Sequence, residues 1–230
     1  MTKLIVALDF DTLDEVDNLL DQLSDTVQWY KLGKQLFTAH GPKLIDHIKG
    51  KGKSLFLDLK FHDIPNTVAQ AVRVSVASGV DMINVHASGG SEMIAAAAQA
   101  AQAENPDALM IAVTVLTSMD EQALEEIGLN VSPAEQVIRL AKLAQAAGAS
   151  GIVASAKESA LITENCGADF IQVLPGIRPS GADQQDQKRV VTPAEAAALG
   201  AHYIVVGRPI SKAENPAQAA QEILKDIAPA

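Results

Sequence analysis

The chain has 230 residues, 48% of them hydrophobic and 20% charged, with a formal net charge of −10. That balance suits one large α/β domain. It argues against a nucleic-acid surface or an anionic membrane as partner, because no lysine and arginine cluster is present to neutralise a row of phosphates.

Along the chain, apolar runs of strand length alternate with segments of helical period, and the alternation repeats eight times. The predicted strands are Leu4–Asp9, Trp29–Gly33, Ser54–Lys60, Met82–His86, Met110–Leu116, Gly151–Ala154, Phe170–Leu174 and Tyr203–Gly207. Between and after them run predicted helices, roughly Leu13–Leu23, Pro42–Lys49, Thr67–Ser78, Ser91–Ala103, Pro133–Ala147, Lys157–Asn165, Pro193–Leu199 and Pro216–Ile227. Eight βα units at this length is the count for a compact (β/α)8 TIM barrel, a single domain over residues 1–230. Gly79, Gly148, Gly167 and Gly200 each follow a predicted helix and precede a predicted strand, as a left-handed C-cap requires. The alternative, an open doubly wound sheet, usually has fewer strands and a glycine-rich dinucleotide turn, and no G-x-G-x-x-G is present.

The most informative segment is Asp58-Leu59-Lys60-Phe61-His62-Asp63-Ile64-Pro65-Asn66-Thr67, which places two carboxylates and an ammonium within six residues behind an apolar run. On a strand, Asp58 and Lys60 point to the same face, and Asp63 falls in the turn that follows. An ammonium bracketed by two acids is a proton donor. A surface turn with an ion pair would explain such a string on its own. Other charges, however, end other strands: Asp9 closes the run Leu4–Leu8, and Trp29–Gly33 carries Lys31. In a barrel the chemistry gathers at the C-terminal strand ends, and neighbouring strands stand ~4.8 Å apart, so Asp9, Lys31, Asp58 and Lys60 can form one alternating network. Apolar residues of the same volume would serve stability about as well, which makes function the better explanation for the cluster.

The far side of the same rim reads as an anion site. Predicted strand eight ends Val205-Val206-Gly207-Arg208-Pro209, where Gly207 lets a backbone N–H approach a ligand and Arg208 adds a forked cation. Predicted strand seven ends Leu174-Pro175-Gly176-Ile177-Arg178-Pro179, with a second glycine and arginine. Loops after strands seven and eight are the common phosphate position in such barrels. One G-R-P string could be a turn with a surface arginine; two arginines at the two expected positions favour phosphate. His40, His47 and His202 read as surface residues, His62 as a packing or hydrogen-bonding group, and His86 as a rim residue with a structural role. Trp29 reads as a core or interface aromatic. The single cysteine, Cys166, permits no intramolecular disulfide and has no partner that would make it a nucleophile. The longest apolar stretches are too short to span a bilayer, and the N-terminus enters a strand-like run without the regions of a signal peptide, which points to the cytoplasm.

Over its whole length the chain resembles the orotidine 5′-monophosphate decarboxylase family. The resemblance is carried by Val6-Ala7-Leu8-Asp9, Lys31-Leu32-Gly33-Lys34, Asp58–Thr67, His86-Ala87-Ser88-Gly89-Gly90, Thr114-Val115-Leu116-Thr117-Ser118, Pro175–Pro179 and Gly207-Arg208-Pro209. It implies a homodimeric barrel that decarboxylates orotidine 5′-monophosphate to uridine 5′-monophosphate in pyrimidine nucleotide synthesis, with no cofactor and no metal. Lys31, Asp58, Lys60 and Asp63 resemble the family's charged tetrad, with Lys60 as the acid that protonates C6. Asp9 resembles the ribose-binding aspartate. Asp63 and Thr67 match residues that reach into the partner subunit's site, so each site would be composite. Thr117 and Ser118 resemble the contacts to the pyrimidine ring, and Gln187, Gly207 and Arg208 the phosphate contacts. Pro175 and Arg178 mark the loop after strand seven, whose following stretch Ser180–Lys188 is polar enough to close over a ligand. Two alternatives stay open: a related magnesium-dependent group with a similar D-x-K-x-x-D but a glutamate where this chain has Lys31, and a silent phosphosugar-binding barrel.

Overall fold

Each predicted strand finds its partner in chain order. The computed structural model describes residues 1–179 and 191–228. The strands are β1 (Lys3–Ala7), β2 (Trp29–Gly33), β3 (Ser54–Phe61), β4 (Met82–His86), β5 (Leu109–Val113), β6 (Gly151–Val153), β7 (Ile171–Leu174) and β8 (Tyr203–Val206). They pair in parallel from β1 to β8, and β8 closes on β1 through Lys3↔Tyr203 to Val6↔Val206, giving an eight-stranded barrel. The helices that return the chain are α1 (Leu13–Gln22), α2 (Lys34–His40), α3 (Lys43–Gly50), α4 (Pro65–Ala77), α5 (Gly90–Glu104), α6 (Glu121–Glu126), α7 (Pro133–Ala146), α8 (Ser159–Cys166), α9 (Pro193–Ala198), α10 (Arg208–Ser211) and α11 (Pro216–Asp226). This is the (β/α)8 TIM barrel that the alternation predicts.

The period of two along each strand divides the apolar residues into two cores. Ile5, Ala7, Phe56, Met82, Ile111, Val173, Tyr203 and Val205 fill the barrel lumen. The alternate residues, such as Val6, Tyr30, Leu57 and Ile83, face outward and pack under the helices. Trp29 meets Tyr203 edge to face at 5.3 Å, so it is a barrel aromatic. Reciprocal capping boxes fix three helix starts, Thr12 with Glu15, Ser132 with Glu135 and Thr192 with Glu195.

Three helices lie outside the predicted set, each for a physical reason. α2 buries only Leu36 and is divided from α3 by Gly41 at φ 73°, so the periodic signal registers α3 alone. α6 buries only Leu124 and α10 only Ile210, too few apolar positions to show a period. Conversely, β1 and β5 stop at Ala7 and Val113, short of the predicted Asp9 and Leu116. Val115 and Leu116 are apolar because they line a cavity, not because they belong to a ladder. The four predicted helix-ending glycines, Gly79, Gly148, Gly167 and Gly200, all adopt φ between 86° and 91°.

β6 passes β7 so closely that a Cβ on Gly151 would lie 2.2 Å from the Ile171 carbonyl oxygen. The obstacle is backbone, so neither strand can yield without shifting its ladder. Gly151→Ala is expected to lower stability by ~1–3 kcal/mol, the cost of overpacking a core, as read by denaturant unfolding. An unchanged midpoint would show that the barrel relaxes freely there.

Candidate active site

The site begins with a break in the sheet. β3 pairs with β4 at Phe56↔Met82 and Leu57↔Ile83, then resumes at Phe61↔Val85, so four steps on β3 oppose two on β4. Inside the break Lys60 has φ 53°, the left-handed region, alone in this among the described non-glycine residues. Such a backbone costs ~1–2 kcal/mol and persists only where its surroundings hold it. Here the Lys60 N–H donates to Asn84 Oδ1 at 2.8 Å, and the amide of Asn84 donates to Asp58 Oδ1 at 2.7 Å.

The displaced strand turns its charges into the mouth of the barrel. Lys60 Nζ lies 2.5 Å from Asp58 Oδ1, Lys31 Nζ lies 3.5 Å from Asp58 Oδ2, and Lys31 Nζ lies 3.2 Å from Asp9 Oδ1. Acid and base thus alternate from Asp9 to Lys60 across three neighbouring strands. Lys31 sits in the middle of β2, level with Ala7 and Phe56, rather than at the strand end, and still reaches the cluster along the lumen. The Asp58 and Lys31 side chains are 12% exposed and Lys60 23%. Burial would push the Asp58 carboxyl up, but the charges of Lys31 and Lys60 and the hydrogen bonds from Lys60 and Asn84 outweigh it and hold the group below the usual carboxylate range.

Asp63 does not bracket Lys60 within the chain. The left-handed turn at Lys60 carries the backbone out of the mouth, and Asp63 is exposed, its carboxylate accepting the Ile64 N–H at 2.6 Å. Thr67, on the first turns of α4, is exposed on the same side.

Two cavities meet at Lys31 and Pro175. The inner one, of about 160 Å³, is walled by Asp58 and Lys60 on one side and by Val113, Val153, Val173 and Val205 on the others, with Thr117 at its lip. Ser118 is exposed and stands outside that lining. The outer one, of about 420 Å³, is bounded by Asp9, Gln35, Arg178, Gly207, Arg208 and Lys212. Arg178 is buried; its burial and the nearby Arg208 both lower the pKa of its guanidinium, an opposition that an anion between them would relieve. Gln187 and the stretch Ser180–Lys188 lie outside the described residues. A groove of about 440 Å³ between α5 and α7, at the opposite end of β5, is lined by small, apolar and amide side chains and carries no charged cluster.

Asn84, Lys212 and Gln35 are site residues that the sequence reading missed. A lone asparagine at the centre of Met82–His86 shares the face of Met82, which was a usable signal. Lys212 lies one helical turn beyond Arg208. The histidines take quieter places. His86 and His62 pack with their rings tilted and centroids 5.5 Å apart, and burial, His62, Lys34 and Lys60 keep His86 below its ordinary pKa despite Asp58. His40 bonds the Asp11 carbonyl, His47 the Asp17 carboxylate, and His202 Nδ1 accepts the Gln172 N–H. Burial pushes the Cys166 thiol up, which suits an inert residue. No helix among the described residues is long and apolar enough to cross a membrane.

A parallel barrel with a charged cluster at the carboxyl ends of its strands and cationic loops after β7 and β8 has the layout of a barrel enzyme for a small anionic ligand. Comparison makes the group specific: residues 2–223 match the orotidine 5′-phosphate decarboxylase / HUMPS family, and the chain belongs to it. It is 48% identical over 226 residues to an orotidine 5′-phosphate decarboxylase of Saccharophagus degradans, covering 98% of this chain and 95% of that one. It is 51% identical over 228 residues to one of Halorhodospira halophila, covering 99% and 97%. The crystal structure of orotidine 5′-phosphate decarboxylase from Lactobacillus acidophilus superposes with a TM-score of 0.88 at 38% identity, covering 99% of each chain.

The charge balance at Asp58 has a measurable consequence for folding. Because its folded pKa is depressed, its contribution is present above the ordinary carboxylate value of ~3.9 and is lost as pH falls through the lower folded value. Asp58→Asn should therefore be less stable than wild type at neutral pH by ~1–3 kcal/mol, with the gap closing in strong acid. A gap that is constant with pH in denaturant titrations would show that Asp58 is not held ionised by its lysines.

Proposed function

We propose that the protein decarboxylates orotidine 5′-monophosphate to uridine 5′-monophosphate in pyrimidine nucleotide synthesis, without metal or organic cofactor, as a cytoplasmic homodimer. The observation that carries this reading is the Lys60 ammonium, fixed by Asp58 at the wall of a small cavity whose far side opens onto Arg178 and Arg208. The names of the relatives at about half identity support the same substrate.

The chemistry follows from the geometry. The bond between C6 and the carboxylate breaks, carbon dioxide leaves, and the electron pair stays on C6 in the plane of the ring, where the π system cannot absorb it. Only a charge aimed at that carbon can stabilise it. Lys60 supplies the charge and then its proton to C6, and the neutral amine recovers a proton from water. Arg208, Arg178 and Gly207, with Gln187 from outside the described residues, would hold the phosphate; Asp9 the ribose hydroxyls; Thr117, Ser118 and Pro175 the ring. Binding energy from the phosphate, remote from the reacting carbon, positions the ring and works against the barrier.

Lys31 supports the metal-free form over the magnesium-dependent one, since an ammonium 3.5 Å from Asp58 repels a divalent cation where one would need an acid. Among the described residues no three histidine, cysteine or carboxylate side chains gather as a metal site. Exposed Asp63 and Thr67 support a composite site, in which each would reach into the partner subunit's active site. Ile64 and Val74, 67% and 54% exposed on and beside α4, fit a surface that a second copy covers.

Lys60→Ala should lose ~10³-fold or more in kcat, the scale of a positioned acid combined with its charge, while binding uridine 5′-monophosphate as wild type does. Turnover near normal would remove the assignment. Mixing inactive Lys60→Ala with inactive Asp63→Ala should restore roughly one quarter of wild-type activity at equal proportions, because half the dimers are mixed and each of these has one intact site. No recovery, with subunit exchange shown separately, would place Asp63 in its own chain's site.

A further inference from the structure

The geometry points to Asn84 as the positioning residue that sets both the height and the charge of the Lys60–Asp58 pair, an inference that rests on the decarboxylase reading and deepens it. Asn84 is fully buried, and its one side chain makes two bonds of opposite sense to the same segment of β3. Its carbonyl accepts the N–H of Lys60, the residue held at φ 53°, and its amide donates to Asp58 Oδ1, the oxygen that also takes the Lys60 ammonium. No backbone ladder bond from β4 takes that place, since the pairing is interrupted between Leu57 and Phe61. Asn84 therefore substitutes for the missing rung. Without it the Lys60 N–H loses its acceptor at the left-handed turn, and Asp58 Oδ1 loses one of its two donors.

A carboxamide fits this double task and the near neighbours do not. Leucine would fill the space and satisfy neither group. Aspartate would keep the acceptor for the Lys60 N–H but put a second carboxylate against Asp58. Asn84 bonds Asp58 and Lys60 from β3; Lys31 from β2 ion-pairs with that same Asp58, and His86, two residues beyond Asn84 on β4, shares its strand face. From β5 the residue level with Asn84 is apolar Ile111. In Asn84→Asp the two carboxyls would titrate as a pair, and when they share one proton the arrangement again has a donor directed at Asp58.

The test compares wild type, Asn84→Ala and Asn84→Asp, with kcat expressed per site that binds uridine 5′-monophosphate. In Asn84→Ala, kcat should fall ~10²-fold, the effect of misplacing a reacting group by about an ångström, with nucleotide affinity within about threefold of wild type. In Asn84→Asp, the ratio of its kcat to that of wild type should rise about tenfold or more as pH falls from about 8 to about 5, because the shared proton returns. A residue that merely filled the core would lower the folded fraction and leave that ratio flat. Should Asn84→Ala fail to fold, the isosteric Asn84→Asp decides alone. Wild-type turnover is measured first: its absence would overturn the decarboxylase reading, whereas a wild type that turns over beside a ratio flat in pH would overturn the positioning role of Asn84 alone.

Discussion

A carboxylate almost out of water, shared between two ammonium groups, is the interaction on which the site depends. Asp58 is costly to bury as an anion, and Lys31 and Lys60 are costly to bury as cations; together they offset much of that cost. The arrangement demands that Lys60 return toward a residue only two positions earlier on its own strand. At that point the sheet breaks register, the backbone at Lys60 is left-handed, and Asn84 supplies the bond to the Lys60 N–H where the ladder is interrupted. Local strain of this kind persists where the surroundings over-determine it, and here they do so with two hydrogen-bond donors, Lys60 and Asn84, and a second ammonium, Lys31, around one carboxylate.

The rest of the barrel serves that point. The lumen is apolar below the cluster, so Asp58 and its lysines sit where the effective dielectric is low and charge acts strongly on a bound ring. The cationic loops lie on the other side of Lys31. In the proposed reaction this division would separate the part of the ligand that supplies affinity from the part that reacts, and would let phosphate binding do work at a distant carbon. The break in β3 has a second effect: it ejects Asp63 from the mouth onto the surface beside α4.

Much of this was legible in the residues. Lys31, Asp58 and Lys60 were identifiable because a period of two places charges on one face of strands that are otherwise apolar, and barrels gather function at those strand ends. Arg178 and Arg208 followed from their place after the seventh and eighth strands. What was hidden depends on backbone geometry that composition does not encode. Counting residues puts Asp63 near Lys60, but the left-handed turn sends it away. The two hydrogen bonds of Asn84 to β3 were hidden because they exist only where the neighbouring strand has slipped. α2, α6 and α10 escaped because each buries a single apolar residue, and Lys212 escaped with α10. Strand ends were overextended at Leu116, where apolar character reports a cavity wall rather than a ladder.

Whether this cluster breaks a carbon–carbon bond with only the protein's own charges is decided by mixing the protein with orotidine 5′-monophosphate in excess chelator and following the pyrimidine absorbance. Complete loss of the orotate chromophore at the same rate with and without chelator is expected. Nucleotide binding without that loss, or turnover that vanishes in chelator and returns with magnesium, would contradict that expectation.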